Sequence, residues 1–242
     1  MPLKEKNAQR IIGILGGMGP EATSYLFQKI IEKTPARTDQ DHLRVIIDSN
    51  PKIPSRQAAI EGRGESPVPA MLTSGRALVE AGVHFIVIPC VTAHYFLPQL
   101  HSELAMPILS ILEETAIHVS RNHPQLRSVG LLATRAIIST SLFQEAFLRK
   151  SVNSVLPDKE NQRLVQEAIS EIKSRKSAEH RDRIKRTLVD VAGRLIDQGA
   201  QGIVAGCTEI PIVLQKEDLP VPLFNVLDIL AEAAVLNVLG ER

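Results

Sequence analysis

An internal repeat is the feature of this chain that most restricts its fold. Residues 78–90 (LVEAGVHFIVIPC) align with residues 195–207 (LIDQGAQGIVAGC), which places Cys90 on Cys207 at a fixed spacing (207 − 90 = 117). The same shift aligns an early GIL with a GLL at the start of the second half. Two related halves predict a duplicated domain, in which each half ends a buried strand with a cysteine.

The repeat continues beyond the cysteines and sets the expected domain boundaries. The segment PILSILE in the first half resembles PLFNVLD in the second, with a shift two residues shorter that a small indel in a loop explains. Each half therefore closes with an extended strand and the start of a helix. We expect an N-terminal lobe of residues 1–112 plus 226–242, carrying Cys90, and a C-terminal lobe of residues 113–225, carrying Cys207.

Composition and charge exclude several classes of partner. The chain has 242 residues, of which 44% are hydrophobic and only 3% are aromatic, with no Trp. A nucleic-acid surface that stacks bases needs aromatic rings, and 28 basic against 27 acidic residues provide no steering towards a polyanion or a membrane surface. No apolar run approaches the roughly 20 residues of a membrane span, and the polar N-terminus is unlike a signal peptide. We therefore expect a cytoplasmic protein with no nucleic-acid or membrane partner.

Short apolar runs alternate with amphipathic helical patterns along the whole chain. The expected strands are residues 11–15, 44–48, 85–89, 108–109, 128–132, 151–156, 202–205 and 223–225. The expected helices are residues 21–34, 68–81, 112–122, 139–150, 159–173, 181–198 and 226–239. Buried strands joined by helices are typical of parallel sheets with right-handed crossovers. The pattern predicts the α/β class.

Cys90 and Cys207 are both expected at the carboxyl end of a buried strand. Cys90 follows the apolar run FIVIP and Cys207 follows GIVAG, and open parallel sheets bind ligands beyond the carboxyl ends of their strands. Thr92 follows the first thiol, and Thr208 and Glu209 follow the second. In a reducing compartment both cysteines are expected to be free thiols. Core packing explains one such cysteine, but two at equivalent strand ends favour chemistry.

Two loops at the same edge carry candidate groups for binding a small anion. The turn of residues 16–21 (GGMGPE) joins a strand to a helix, and its glycines let backbone N–H groups approach an anion. It matches neither a dinucleotide fingerprint nor a P-loop, so a small carboxylate fits better, with a tight turn without ligand as the alternative. Arg56 offers a planar fork for a carboxylate, although a solvated surface arginine is the commoner case. Cys90, His94 and His101 do not form a metal-ligand set, so no metal is expected.

Five motifs are spread along the chain. They are GILGGMGPEAT (13–23), NPKIPSR (50–56), IPCVTAH (88–94), GLLAT (130–134) and GCTEIP (206–211). In this order they resemble the aspartate/glutamate racemase family, and within it the aspartate racemase-like branch. The resemblance implies two pseudo-symmetric Rossmann-like lobes with the active site between them. It also implies a racemase of a small amino acid that needs neither pyridoxal phosphate nor a metal, and that is usually a homodimer.

The resemblance also implies roles for individual residues. Cys90 and Cys207 correspond to the base/acid pair that transfers the Cα proton. The family shapes or binds its substrate at positions that correspond here to Gly17, Met18, Arg56, Thr92, Thr134, Thr208 and Glu209, with Lys173 as the basic residue of the second half. Racemisation of aspartate or glutamate is therefore the expected activity.

Val91 departs from the family pattern. The family usually has Asn after the first cysteine, where its amide helps to hold the α-carboxylate of the substrate, and Val cannot donate that hydrogen bond. We expect Val91 to line the substrate and to influence its identity. The alternatives are other carbon-acid chemistry on the same scaffold, namely hydantoin racemisation, maleate isomerisation or decarboxylation, or a weakly active ligand-binding protein.

Overall fold

The described part of the chain forms two compact units. The computed structural model describes residues 10–174 and 178–240. One unit comprises the residues up to Glu114 together with those from Leu227 onward, and the other runs from Thr115 to Val226. Each unit contains one parallel sheet of four strands with helices in the connections. The predicted α/β class with parallel sheets is therefore confirmed.

Strands and helices alternate through both units. The strands are β1 (Ile12–Gly16), β2 (Val45–Ser49), β3 (Phe85–Val87), β4 (Ile108–Leu109), β5 (Ser128–Leu132), β6 (Asn153–Val155), β7 (Ile203–Ala205) and β8 (Leu223–Asn225). The helices are α1 (Pro20–Lys33), α2 (Arg56–Ile60), α3 (Val68–Glu80), α4 (Leu97–Leu104), α5 (Ile111–Asn122), α6 (Arg135–Ser139), α7 (Leu142–Leu148), α8 (Lys159–Lys173), α9 (Ala178–Asp197) and α10 (Val226–Leu239). Within the described ranges every helix is too short or too polar to serve as a membrane span.

The two sheets share one strand order and one register. The order is β2-β1-β3-β4 in the first sheet and β6-β5-β7-β8 in the second. Gly13 of β1 lies opposite Ile86 of β3, and Gly130 of β5 lies opposite Ile203 of β7. Gly130 follows Gly13, and Ile203 follows Ile86, by the same number of residues that separates the two cysteines. The sequence repeat is therefore a repeat of strand pairing as well.

The centres of both sheets are aliphatic and fully covered. Every residue of β1, β3 and β7 is buried, whereas the edge strand β2 is partly exposed. Burial on both faces is what parallel strands require, because crossover helices cover them. Only a few aromatic rings contribute, among them Phe85 and the stacked pair Phe143 and Phe147. Burial of the central strands leaves their carboxyl ends, rather than their faces, as the place where ligands can reach each sheet.

One predicted helix begins too early, and the helix before it is not predicted. The pattern over residues 139–150 predicts one helix, which the structure has as the shorter α7, and α6 lies almost entirely before that range. Ser141 has a φ of 56°, in the left-handed region that a helix cannot continue through. The Thr140 hydroxyl donates to the Ile137 carbonyl (2.8 Å) and closes the last turn of α6. A local hydrogen bond of this kind competes with the helix and is invisible to hydrophobic periodicity.

The last helix, α10, belongs to the first unit. The Tyr25 hydroxyl donates to the Asp228 carboxylate (2.8 Å), and the Lys33 ammonium lies 3.4 Å from the Glu232 carboxylate. These contacts hold α10 against α1. The end of the chain thus completes the unit that contains β1 and Cys90.

Candidate active site

Each sheet has a point where the strand order reverses. β1 pairs with β2 on one side and with β3 on the other, and β5 pairs in the same way with β6 and β7. The turns after the two central strands therefore meet at the carboxyl edge of the sheet, where open α/β sheets bind ligands. Gly17 and Met18 follow β1 and Cys90 follows β3, while Thr134 follows β5 and Cys207 follows β7. Each thiol thus lies at the carboxyl edge of its own sheet.

The turn after β1 requires glycine at position 17. Gly17 has a φ of 87°, and an added Cβ would lie 2.3–2.5 Å from backbone atoms of Asn50. The Thr23 hydroxyl accepts a hydrogen bond from the Gly17 N–H (2.9 Å) and donates to the Gly19 carbonyl (3.0 Å). The backbone of this turn therefore lies in close contact with the loop after β2, and the Thr23 side chain of α1 fixes the conformation of the turn.

Arg56 joins the two loops of the first unit. It begins α2, which Ser55 caps with its side chain. Its Nη1 donates to the carbonyls of Ile53 (2.9 Å) and Pro54 (2.7 Å). Its Nη2 donates to the Met18 carbonyl at 3.4 Å. Its Nε is buried and has no hydrogen-bond partner among the described residues. Three hydrogen bonds of the guanidinium thus go to backbone carbonyls of the first unit. A contact between Arg56 and a substrate carboxylate stays a prediction.

His94 fixes the backbone at Cys90. Its Nε2 accepts a hydrogen bond from the Ile111 N–H (3.0 Å), so its Nδ1 carries the proton and donates to the Cys90 carbonyl (2.9 Å). Burial lowers the pKa of His94 to about 4, so the ring is neutral at physiological pH. His94 therefore ties the turn after β3 to the start of α5.

The surroundings of the first thiol are apolar. Cys90 is 6% exposed and packs in a cluster that includes Met18 and Ile53. Val91 is buried beside it, and Thr92 is partly exposed. The structure therefore brings the expected residues of the first half to one edge and packs the thiol against apolar side chains.

The second thiol also packs in an apolar cluster, but it has polar partners. The Cys207 Sγ donates to the Glu209 Oε2 (2.8 Å), and the Thr208 hydroxyl donates to the same oxygen (3.2 Å). The Lys173 ammonium, at the end of α8, lies 3.4 Å from the other oxygen, Oε1. Cys207 and Glu209 are both buried, whereas the Lys173 side chain is half exposed. These four predicted site residues form one hydrogen-bonded cluster.

Cys207 is a thiol rather than a thiolate at neutral pH. Burial raises its pKa well above the ordinary value, and the negative charge of Glu209 raises it further. The positive charge of Lys173 acts in the opposite direction without reversing the shift. Cys207 can therefore act as a proton donor. Ionisation of the buried thiol costs free energy unless a neighbouring group accepts the proton.

Thr134 has a structural task as well as its place at the edge. Its hydroxyl accepts a hydrogen bond from the Ile137 N–H (3.3 Å) and caps the short helix α6. Gln162, from α8, donates to the neighbouring Ala133 carbonyl (2.9 Å). Sequence reasoning did not single out Gln162 because this contact joins distant segments. The sequence gives a weak indication of the role of Thr23. A threonine one helical turn after Gly19 can donate a hydrogen bond back to the Gly19 carbonyl.

Each unit brings its own set of polar groups to the carboxyl edge of its sheet. The first has one thiol, one threonine hydroxyl and one guanidinium, and the second has one thiol, two threonine hydroxyls, one carboxylate and one ammonium. In residues 10–174 and 178–240, no three side chains of His, Cys, Asp or Glu are arranged to hold a metal ion.

Known proteins resemble this chain over nearly its whole length. The broad specificity amino-acid racemase RacX of Bacillus subtilis (strain 168) is 29% identical over 234 residues, which cover 95% of this chain and 99% of RacX. Among solved structures, the Picrophilus torridus aspartate racemase has a TM-score of 0.82 at 27% identity, covering 96% of this chain and 94% of its own.

A more distant structure shares the fold. The glutamate racemase of Francisella tularensis subsp. tularensis SCHU S4, in complex with D-glutamate, has a TM-score of 0.66 at 18% identity, covering 97% of this chain and 82% of its own. The family profile described as Asp/Glu/Hydantoin racemase matches residues 15–234. The chain therefore belongs to the Asp/Glu/Hydantoin racemase family, a family of isomerases.

Proposed function

We propose that this protein is an amino-acid racemase that needs no cofactor and uses Cys90 and Cys207 as a base/acid pair. One observation carries the proposal. The two thiols follow the equivalent central strands of the two repeats, each at the carboxyl edge where its sheet reverses strand order. Inversion of one carbon by two bases uses one proton-transfer group on each face, and a duplicated edge supplies two.

The proposed chemistry is a pair of proton transfers. One cysteine, as thiolate, takes the Cα proton, so that the C–H bond breaks and an S–H bond forms. The other cysteine, as thiol, gives its proton to the opposite face, so that a new C–H bond forms and a thiolate is left. The intermediate carries its charge on the substrate carboxylate, where N–H donors stabilise it. An ordinary cysteine has a pKa near ~8.5, so the site must support a thiolate on the basic side.

Aspartate or glutamate is the first substrate candidate. Arg56 and Lys173 supply one cation near each thiol's edge, and a substrate with two carboxylates can use both. The aspartate racemase of Picrophilus torridus resembles the whole chain at 27% identity, which supports the same substrate class.

A broader range of amino acids is the second candidate. Val91 is buried beside Cys90, and two donors of Arg56 already bind backbone carbonyls through Nη1. An apolar wall and an occupied guanidinium favour an uncharged side chain. The relative RacX, which is named for broad specificity, supports this candidate.

Exchange of the Cα proton in heavy water tests the function directly. The purified protein is incubated with both enantiomers of aspartate, glutamate and a panel of neutral amino acids, and deuterium at Cα is measured by NMR. We expect incorporation and inversion for at least one amino acid. Incorporation for the acidic pair alone supports the first candidate, and incorporation for neutral amino acids supports the second. If no amino acid exchanges while a hydantoin or maleate is turned over, the reaction belongs to the alternative carbon-acid chemistry.

Substitution of each thiol tests the assignment of the pair. Cys90→Ala and Cys207→Ala are each expected to abolish racemisation, because either change removes one of the two proton-transfer groups. Val87→Ala is the control, since it removes a buried side chain of β3 close to Cys90 and affects packing only. It should lower the denaturation midpoint and keep turnover. Full racemisation by either cysteine variant would refute the two-base mechanism.

Three finer expectations come from the sequence. The family resemblance implies a homodimer, composition and the polar N-terminus suggest a cytoplasmic location, and the internal repeat places the lobe boundaries after residues 112 and 225. They stay predictions.

A further inference from the structure

The two thiols differ in the residues that follow them. At the repeat spacing, Thr208 is the counterpart of Val91 and Glu209 is the counterpart of Thr92. Only the second thiol therefore has a carboxylate two residues further along the chain. The two positions are otherwise alike, because each cysteine is 6% exposed and follows the third strand of its sheet.

The Glu209 carboxylate is aimed at the second thiol and held there. Its Oε2 accepts from the Cys207 Sγ at 2.8 Å and from the Thr208 hydroxyl at 3.2 Å. Its Oε1 faces the Lys173 ammonium at 3.4 Å. Glu209 is 8% exposed, so the carboxylate meets the thiol away from bulk water. A buried carboxylate with these contacts is positioned to exchange a proton with Cys207.

We propose that Glu209 is the proton partner of Cys207: it keeps Cys207 in the thiol form for proton donation, and it accepts the Cys207 proton when that cysteine must act as base. This inference rests on the proposed two-base racemisation. Glu209 acts through Cys207 and does not itself transfer a proton to the substrate, so it is a positioning and proton-holding residue.

The proposed exchange balances without a further reactant. In the first state the Cys207 thiol donates to an ionised Glu209. In the second state the S–H bond has broken, an O–H bond has formed on Oε2, and a Cys207 thiolate faces a neutral carboxylic acid. One proton moves over one hydrogen bond, and the total charge of the pair is unchanged. After Cys207 gives its proton to a substrate, Glu209 is still ionised, so it first takes a proton from solvent water and then passes that proton to the Cys207 thiolate over the same contact.

The charges around Cys207 agree with this arrangement. The two charged groups acting on the thiol are Glu209, in the same turn, and Lys173, from α8. Burial raises the pKa of Cys207, the Glu209 charge adds to that increase, and the Lys173 charge opposes it. The thiol form of Cys207 is therefore the starting state, from which it acts as a proton donor.

Alkylation of the thiols as a function of pH tests the proposal. The intact protein is treated with iodoacetamide between pH 6 and 10, and the peptides containing Cys90 and Cys207 are quantified separately by mass spectrometry. Only the thiolate reacts, so each unit by which the pKa falls gives about a tenfold faster reaction below the pKa. We expect Glu209→Gln to speed alkylation of Cys207 at least severalfold at pH 8 and to leave Cys90 unchanged.

A second variant distinguishes an effect of charge on the Cys207 thiol from a general loosening of the fold. Lys173→Met removes the positive charge and should slow alkylation of Cys207, the opposite of Glu209→Gln. A loosened structure would instead speed the reaction of both cysteines in both variants. The proposal is overturned if Glu209→Gln leaves the pH dependence of Cys207 unchanged, or if it shifts Cys90 equally.

The alkylation result does not depend on turnover. If the protein racemises nothing but Glu209→Gln still shifts Cys207 alone, the Cys207–Glu209 pair stands and the proposed function fails. If racemisation is found, the pH profile of kcat for Glu209→Gln must move to lower pH, as the alkylation profile does. An unmoved kcat profile in an active enzyme would overturn the role of Glu209 in the reaction.

Discussion

At the scale of single residues, the same degree of burial has different chemical results. Cys90 and Cys207 are equally exposed and each packs in an apolar cluster, but a carboxylate faces the second. His94, which is also buried, uses both ring nitrogens in hydrogen bonds to the backbone. Partners, rather than depth alone, decide whether a buried polar group serves chemistry or holds a turn in place.

His94 makes the stability of the protein depend on pH in a defined window. Its pKa is about 4 in the folded chain, against an ordinary value of 6.5, because burial disfavours the charged ring. The unfolded chain therefore binds more protons between these values, and the free energy of unfolding falls as the pH falls from 6.5 towards 4. The loss attributable to His94 is roughly 3 kcal/mol at the acid end, and above pH 6.5 it is absent.

Urea denaturation of the wild type and of His94→Gln checks this prediction. Gln can donate and accept in place of the two ring nitrogens but does not titrate, so its midpoint should fall less between pH 6.5 and 4. His42→Gln, at an exposed position, is the control and should follow the wild type. Equal pH slopes for His94→Gln and the wild type would contradict the assigned tautomer and burial.

At the scale of helices and strands, the ends of elements depend on local backbone conformation. Ala105 ends α4 with a φ of 46° and a ψ of 32°, a left-handed conformation that glycine adopts without steric cost. We expect Ala105→Gly to raise the free energy of unfolding by about 0.5–1 kcal/mol, because the side chain is strained there and exposed.

The same substitution inside a helix should have the opposite sign. Ala77 is exposed on α3 in the same unit, where Ala→Gly costs about 1 kcal/mol through lost helix propensity. Chemical denaturation of both variants measures the two effects in parallel. A loss of stability in Ala105→Gly equal to that in Ala77→Gly would show that position 105 is not strained.

Sequence patterns predict the strands well and the turns poorly. β4, β5 and β8 begin and end where the apolar runs predict, and the other five strands overlap their predicted runs. The break at Ser141 is a change in the backbone conformation of one residue and gives no hydrophobic signal. In the candidate site, the repeat predicts where both thiols lie. It cannot predict that Glu209 turns towards Cys207, since that depends on rotamers and on Lys173 from another helix.

At the scale of the whole molecule, duplication and divergence have separate consequences. The duplicated strand order gives two thiols at equivalent edges of two sheets. The residues after those strands have diverged, so that the thiols differ in charge environment. A two-base racemase needs the first property, because its two cysteines act in opposite protonation states at every turnover, and the second makes the two thiols unequal in when they ionise.

The fate of the proton in heavy water tests whether two bases serve one substrate. The thiol that removes the Cα proton serves one face, and the product receives its hydrogen from the other thiol, which already carries deuterium from solvent. Product formed from either enantiomer should therefore be fully deuterated at Cα, while the unreacted substrate keeps its protium at early times. NMR of separated enantiomers measures both.

The cysteine variants sharpen the same measurement. With Cys207→Ala, Cys90 can still remove and return a proton on its own face, so slow exchange of a single enantiomer without inversion is expected. Cys90→Ala should show the same for the opposite enantiomer, through Cys207 alone. A wild-type product that keeps much of the substrate's protium would mean that one group carries the proton between faces. The duplicated thiols would then not be a pair in the reaction, whatever their symmetry in the fold.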